Sequence, residues 1–289
     1  MSFRRLLDTH EILVAPGAYD ALSAKVVAQA GFPLVYVTGL GNEASDLGCP
    51  DLGLTTATEL VRRAGTICQA VEVPVVCDAD TGFGGPANVA RTVRLFEAAG
   101  VSAIHLEDQT FPKRCGVLAG KQVVPARGFA RALRGAADAR RGREFALIAR
   151  TDAKGAEGVE GVVDRLRLYA ENGADLVMLG DFYSREEYER IVAEVPAPVV
   201  ACAADPDHFD RQPDFTVDQW RAMGVKMVVY WYLPLFAALH AVREAVGHLG
   251  REGSIEGLRP RLATYRDYAA TVELDRWLGL GEPDGPEGR

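Results

Sequence analysis

Short apolar, β-branched runs recur along the chain, each followed by a Gly- or Asp-rich break and then by a stretch with helical periodicity. The runs are Ile12–Ala15, Leu34–Thr38, Val73–Cys77, Ala103–Leu106, Ala146–Arg150, Leu176–Leu179, Pro198–Ala201 and Met227–Tyr230. Between them lie amphipathic stretches such as Ala57–Val71, Asn88–Ala99, Val159–Asn172 and Arg185–Val195. Gly31, Gly100, Gly173 and Gly224 each separate a helical stretch from the next run, the place where a helix ends on glycine. Strands that alternate with helices imply a parallel sheet. About eight such units over about 250 residues match a closed (β/α)8 barrel, the TIM barrel. An open doubly wound sheet would place GxGxxG after its first strand, and Ala15-Pro16-Gly17-Ala18-Tyr19-Asp20 does not supply it. The chain is therefore expected to be an α/β protein with its barrel over residues 1–250. A C-terminal helical extension is expected over 251–279, with a helix near Leu258–Trp277, and a disordered Gly/Pro/acid-rich tail over 280–289.

Hydrophobic residues make up 48% of the 289, enough for a large core, and the formal net charge is −8. An acidic chain of this kind is a poor partner for nucleic acid or an anionic membrane. Its densest basic cluster, Arg131 to Arg143, sits among alanines at helical spacing and reads as a solvated helix face. Five cysteines with no CxxC pair suit a reducing compartment. The N-terminal MSFRRLLDTHEILV lacks a long apolar core and a small-residue cleavage site. The most apolar stretch, Met227 to Val242, is short and interrupted by Pro234 and His240. A soluble, cytoplasmic protein is the expectation.

The stretch Val76-Cys77-Asp78-Ala79-Asp80-Thr81-Gly82-Phe83-Gly84-Gly85 runs an apolar strand into two carboxylates. At i and i+2 of an extended chain they point to the same side. Like charges held that close repel, and a carboxylate out of water is costly unless it is paired or binds a cation. A divalent cation would resolve the conflict; a capping Asp beside a solvated one is the alternative. Other strand ends add Tyr36, Thr38 and Gly39, then Glu107 and Asp108, then Arg150 and Asp152, while a connecting loop adds Asp51. Strand C-termini form the mouth where TIM-barrel active sites lie. Carboxylates without His/Cys zinc spacing point to a hard cation such as Mg²⁺. No P-loop is present, and the loops after strands seven and eight carry no glycine-rich phosphate cradle.

YVTG at 36–39, DLG at 51–53, CDADTGFGG at 77–85, HLEDQTFPKRCG at 105–116 and ARTDA at 149–153 together resemble the isocitrate lyase/phosphoenolpyruvate mutase superfamily. The resemblance extends from Leu6 to about Arg243. It implies a Mg²⁺-binding barrel, with Mn²⁺ as a possible substitute, that works on 2-oxo or 2-hydroxy acids through an enolate. It further implies a homotetramer whose subunits exchange C-terminal helices. By position, Asp80 would ligate the metal directly, and Asp51, Asp78 and Glu107 would hold its waters. Thr38, Gly39, Leu40 and Gly116 would contact the substrate, Arg150 would bind enolate or carboxylate oxygens, and Tyr36 would join the catalytic group. Cys115 would donate a proton to the enolate-like product, its thiol pKa depressed by Lys113 and Arg114.

Three positions depart from lyases of isocitrate-like tricarboxylates. Val117 stands in place of a histidine, Gly180 follows strand six where a glutamate is usual, and Cys202 follows strand seven in place of an asparagine. The pocket is thereby more apolar and less fitted to a third carboxylate. Asp205, Asp207 and His208 nearby are expected in a solvated loop. The favoured reading is C–C cleavage of a 2-hydroxy dicarboxylate to release pyruvate or glyoxylate. The alternatives are a phosphonomutase, an oxaloacetate hydrolase or decarboxylase, and a non-catalytic barrel that binds a small acid.

Overall fold

The computed structural model describes residues 1–280. Eight strands, β1 (Leu13–Ala18), β2 (Val35–Val37), β3 (Val75–Asp78), β4 (Ala103–Glu107), β5 (Ala146–Thr151), β6 (Leu176–Leu179), β7 (Val199–Cys202) and β8 (Met227–Tyr230), close into a barrel in chain order. All pairs are parallel, and β8 returns to β1 in the register Leu13↔Met227 to Pro16↔Tyr230. The strands read as unbroken apolar runs because both of their faces are covered. One side packs into the barrel interior, where Leu13, Leu34, Val76, Ile148 and Met227 meet. The other side meets the surrounding helices through residues such as Val75, Ile104, Leu147 and Val177.

The helices are α1 (Phe3–Thr9), α2 (Ala21–Gln29), α3 (Gly39–Asn42), α4 (Ala57–Ala70), α5 (Pro86–Ala98), α6 (Ala126–Ala139), α7 (Lys154–Ala170), α8 (Arg185–Glu194), α9 (Val217–Ala222), α10 (Leu233–Glu252), α11 (Tyr265–Thr271) and α12 (Leu274–Gly279). Several starts are dictated locally: Thr56 with Glu59, Ser184 with Glu187 and Thr216 with Gln219 form reciprocal capping boxes. Phe3 and Leu6 of α1 are buried in the barrel interior, closing it at the end where the strands begin.

The chain divides into two compact units, Met1–Leu235 and a second from Phe236 onward. The connection expected beyond Gly247 is still helical: α10 continues through Gly247 and Gly250 to Glu252, and the turn comes at Gly253 with φ 65°. The single helix expected near Leu258–Trp277 is instead a 3₁₀ segment, Glu256–Arg261, followed by α11 and α12. Pro260 withholds a backbone donor in the first piece, Thr264 opens a new capping box, and Glu273 at φ 57° separates the last two. Apolar side chains remain exposed here, including Leu239, Val242, Val246 and Leu249 along one side of α10. The tail expected over 280–289 lies, apart from Leu280, outside the described residues. Among the described residues no helix is long and apolar enough to cross a membrane.

Candidate active site

At the C-terminal ends of β3, β4 and β5 the two-residue strand repeat sorts the charged residues. Asp78, Glu107, Arg150 and Asp152 turn inward, whereas Asp108 turns outward and accepts hydrogen bonds from Thr151 Oγ1 (2.7 Å), Tyr169 OH (2.8 Å) and Arg165 Nη1 (3.1 Å). Asp108 is thus no part of the mouth. It is a buried anchor, and its other oxygen accepts the Asp152 N–H at 3.0 Å. Asp80 does not continue an extended chain: its backbone turns to φ 47°, and its N–H donates to Asp78 Oδ1 at 2.9 Å. The two carboxylates still meet. Gly82 and Gly84 serve the turn into α5, and the close backbone approach to the carboxylates belongs to Gly39, where a Cβ would lie 2.7 Å from Asp78 Oδ2.

Asp51, Asp78, Asp80 and Glu107 are all buried. Lys113 reaches into them, its Nζ paired with Asp51 and 2.7 Å from Asp80 Oδ1. Burial pushes the Asp78 and Asp80 carboxyls up and Glu107 well up. For Lys113 burial acts downward, but Asp80, Asp51 and Glu107 outweigh it and hold the ammonium well above its ordinary value. Among the described residues, neither oxygen of Glu107 receives a hydrogen bond, and its cationic contact is Arg150 Nη1 at 3.3 Å.

Arg150 is held by Asp152, with Nε and Nη2 donating to Oδ2 at 2.9 Å and Oδ1 at 3.0 Å. Burial would raise the Asp152 carboxyl, but Arg150 and Lys121 hold it below its ordinary value. Lys121 donates to Asp152 (3.0 Å), Asp181 (2.7 Å) and the Gly116 carbonyl (2.7 Å), fastening the 113–121 loop across β5 and β6. Gly180 is required by this arrangement. A Cβ there would lie 2.5 Å from Arg150 Nε and 2.6 Å from the Asp152 carboxylate, so a glutamate has no room beside this pair.

A pocket opens between these groups. Its lining combines the charged Asp51, Asp78, Arg150 and Asp181 with the apolar Leu40, Val117, Phe182 and Trp231. Thr38, Cys115 and Gly116 also line it, and Cys202 contributes to the wall. Cys115 is 8% exposed. The expected lowering of its thiol does not occur: burial, then Asp51, push it up to about 12, and Lys113 opposes them only weakly. Arg114 does not help, because its guanidinium turns to the Ala119 carbonyl. The thiol therefore stays protonated near neutral pH. Tyr36 lines the pocket, but its hydroxyl lies 2.8 Å from His105 Nε2. Burial and Arg150 push His105 down to about 3, so this imidazole is neutral. Asp205 is buried, and its carboxylate meets His208 Nδ1 at 2.7 Å; His208 in turn stacks on Phe182.

Sequence reasoning quoted Lys113, Lys121 and His105 without giving any of them a place among the carboxylates. It missed Glu43 altogether, a buried residue that accepts the N–H groups of Leu52, Leu54 and Thr55 and so fixes the loop carrying Asp51. Its sequence surroundings, Asn42-Glu43-Ala44-Ser45-Asp46, do not distinguish it from the partly exposed acid three residues on.

The donor set suits Mg²⁺. Among the described residues, six carboxylates (Asp51, Asp78, Asp80, Glu107, Asp152 and Asp181) surround the mouth against three cations (Lys113, Lys121 and Arg150), and neither Glu107 oxygen is hydrogen-bonded. Among the described residues no three His, Cys, Asp or Glu side chains converge on one point as a closed cage. Hard oxygens without a closed cage are what an ion needs when it keeps most of its waters and takes one or two carboxylates directly.

The family model for phosphoenolpyruvate phosphomutase matches residues 3–249. The chain is 37% identical to the 2,3-dimethylmalate lyase of Eubacterium barkeri over 94% of its own length and 93% of that protein's. It superposes on oxaloacetate acetylhydrolase in complex with the inhibitor 3,3-difluorooxalacetate with a TM-score of 0.90 at 35% identity, covering 96% of this chain and 94% of that one. Phosphonopyruvate hydrolase in complex with oxalate and Mg²⁺ superposes with a TM-score of 0.85 at 29% identity, covering 96% and 95%.

Proposed function

The chain belongs to the phosphoenolpyruvate phosphomutase family, within the isocitrate lyase/phosphoenolpyruvate mutase superfamily, and from that premise we propose that it is a Mg²⁺-dependent carbon–carbon lyase. Its substrate on this reading is an alkyl-substituted 2-hydroxy dicarboxylate, cleaved to release a 2-oxo acid such as pyruvate or glyoxylate. The observation that carries the reading is a pocket whose lining combines Asp78 and Arg150 with the apolar Leu40, Val117, Phe182 and Trp231. Such a pocket has no cation to spare for a third carboxylate, because Lys121 is already taken by Asp152 and Asp181. Leaving a charged group unpaired at the apolar wall would cost more than the contact returns.

Asp80 would hold the ion directly, with Asp78, Asp51 and Glu107 on its waters. When bound, the ion supplies charge stabilisation at the oxygens where negative charge develops. Arg150, oriented by Asp152, presents its guanidinium to a substrate carboxylate. Thr38 and Leu40 border the carboxylate end, and Gly39 allows that segment to approach Asp78. The bond between C2 and C3 breaks as the 2-hydroxyl proton passes to a carboxylate of the mouth, C2 keeps its oxygen as a carbonyl, and the electron pair passes to the C3 carboxylate. Cys115, protonated at rest, delivers a proton to C3. The proton taken from the 2-hydroxyl then returns to the Cys115 thiolate through the neighbouring Asp51 side of the mouth, so in sum the hydroxyl proton is replaced by one on carbon and no redox partner is required. Tyr36, bonded to His105, acts by holding the floor of the pocket.

The apolar flank of α10 and the exposed Tyr265, Tyr268 and Trp277 support a homotetramer in which C-terminal helices are exchanged between copies. A chain ending after Gly250 is expected to lose that assembly by light scattering; a clean, active tetramer from it would refute the exchange. The activity itself is tested by assaying 2-hydroxy and 2-oxo dicarboxylates and carboxyphosphonoenolpyruvate for 2-oxo acid release, with Mg²⁺ and with EDTA. Release from a substituted malate only with Mg²⁺ supports the lyase. Turnover confined to oxaloacetate or to the phosphonate would replace it with the hydrolase, decarboxylase or mutase reading.

A further inference from the structure

The arginine-rich stretch from Arg131 to Arg143, expected to be a solvated helix face, leaves its helix before it ends. α6 stops at Ala139, and Arg140, Arg141 and Arg143 lie in the connection to β5. With Arg4 of α1 and Asp175, just ahead of β6, they line a cavity of about 530 Å³. All of these residues precede strands, so the cavity sits at the N-terminal end of the barrel. A strand of six residues at about 3.3 Å each separates it from the mouth by roughly 20 Å.

Two of the four arginines are committed. Arg4 Nη2 lies 2.8 Å from Asp175 Oδ1, and Arg140 Nη1 lies 2.5 Å from Oδ2, which also accepts the Leu147 N–H at 2.8 Å. The turn between α6 and β5 is fixed by the Glu97 carboxylate, which accepts the N–H groups of Arg141 (2.8 Å) and Gly142 (3.0 Å). Among the described residues, the guanidiniums of Arg141 and Arg143 make neither ion pair nor hydrogen bond, and both side chains are exposed. Four arginines and one carboxylate, Asp175, line the cavity, on a chain whose formal net charge is −8. That is an excess of three positive charges before Glu97 on the turn and the exposed Glu144 after Arg143 are counted.

We propose that this cavity binds the dianionic phosphate group of a small metabolite, with Arg141 and Arg143 on the phosphate oxygens. A guanidinium fork donates equally well in plane to the oxygens of a phosphate or a carboxylate. The choice between them follows from where the charge sits. Arg141 and Arg143, two residues apart on one turn and both in the lining, supply two positive charges, which a single tetrahedral group of about two negative charges balances. A dicarboxylate spreads the same charge over separate groups. The volume leaves room for the rest of the molecule. This site is independent of the proposed lyase reaction and does not rest on it.

The test is isothermal titration of the whole protein with orthophosphate and with glycerol 3-phosphate at low salt, in Mg²⁺ with saturating oxalate to occupy the mouth. Expected is one site per chain with a dissociation constant of about 1 mM or tighter, corresponding to roughly −4 kcal/mol. The double variant R141S/R143S, altered only at exposed side chains, is expected to keep its melting temperature and to bind at least tenfold more weakly. No binding up to ten times that concentration would overturn the proposal. So would equal affinity in the double variant, or succinate binding more tightly than orthophosphate.

Discussion

The two ends of this barrel are built from opposite materials. At the C-terminal mouth, among the described residues, inward-facing carboxylates outnumber cations, and Glu107 has no hydrogen bond to either oxygen. At the N-terminal end, Phe3 and Leu6 fill the interior and a cluster of arginines closes over Asp175. One end buries more carboxyls than cations and pushes several of them up, at a cost in stability; the other is packed and carries positive charge to spare. The difference separates what the fold needs from what the chemistry needs, which is the usual division in this architecture. Substitutions at the two ends are expected to report on different quantities.

The largest effect is expected at the mouth. Asp80→Ala, or EDTA added to the wild type, should reduce turnover at least about 10³-fold, roughly 4 kcal/mol, while circular dichroism melting shows an intact fold. Undiminished turnover by Asp80→Ala in chelator would remove the metal from the account. Next comes the plug: Phe3→Ala should lower unfolding free energy by about 3–5 kcal/mol, as for large buried aromatics, with kcat nearly unchanged in the folded fraction. A variant that loses activity without losing stability would erase the division between the ends.

Cys115→Ser should lower kcat about 10²-fold or more, within the usual range for a general acid, and leave oxalate binding intact. A loss of less than about threefold would take Cys115 out of the chemistry. The smallest effect is expected behind the mouth. Glu43→Gln replaces one acceptor oxygen by an amide NH2, so one of the three N–H groups it holds is left facing a donor. The Asp51 loop should loosen and Mg²⁺ affinity fall about tenfold, the lower range for residues that orient metal ligands. Titration of Mg²⁺ dependence checks this, and an unchanged midpoint would show that Glu43 serves only stability.

The barrel was legible because buried parallel strands must be apolar throughout. Leu176–Leu179 and Met227–Tyr230 match the expected runs to the residue, and the other strands differ by a few positions at their ends. The C-terminal helices were less so, since the left-handed turn at Glu273 has no sequence signature in a residue that ordinarily favours helices. At the site, the inward carboxylates and Arg150 could be read from strand ends. The outward direction of Asp108 follows from the same alternation, one residue on from Glu107. What could not be read was Lys113 and Lys121 crossing from one loop to several strand ends, because long-range ion pairs leave no local pattern. The thiol was misread for a related reason: proximity to Lys113 in sequence says nothing of the burial and the Asp51 carboxylate that dominate it in space.

The central claim is that the mouth takes a 2-hydroxy dicarboxylate with an alkyl substituent and rejects a third carboxylate. The most direct measurement is kcat/KM for Mg²⁺-dependent pyruvate release from 2,3-dimethylmalate and from 2-methylisocitrate under identical conditions. The account predicts a preference for the dimethyl substrate of about 100-fold or more, as expected when a charged group is left unpaired at an apolar wall at a cost of roughly 3 kcal/mol. Equal or better turnover of 2-methylisocitrate would contradict it.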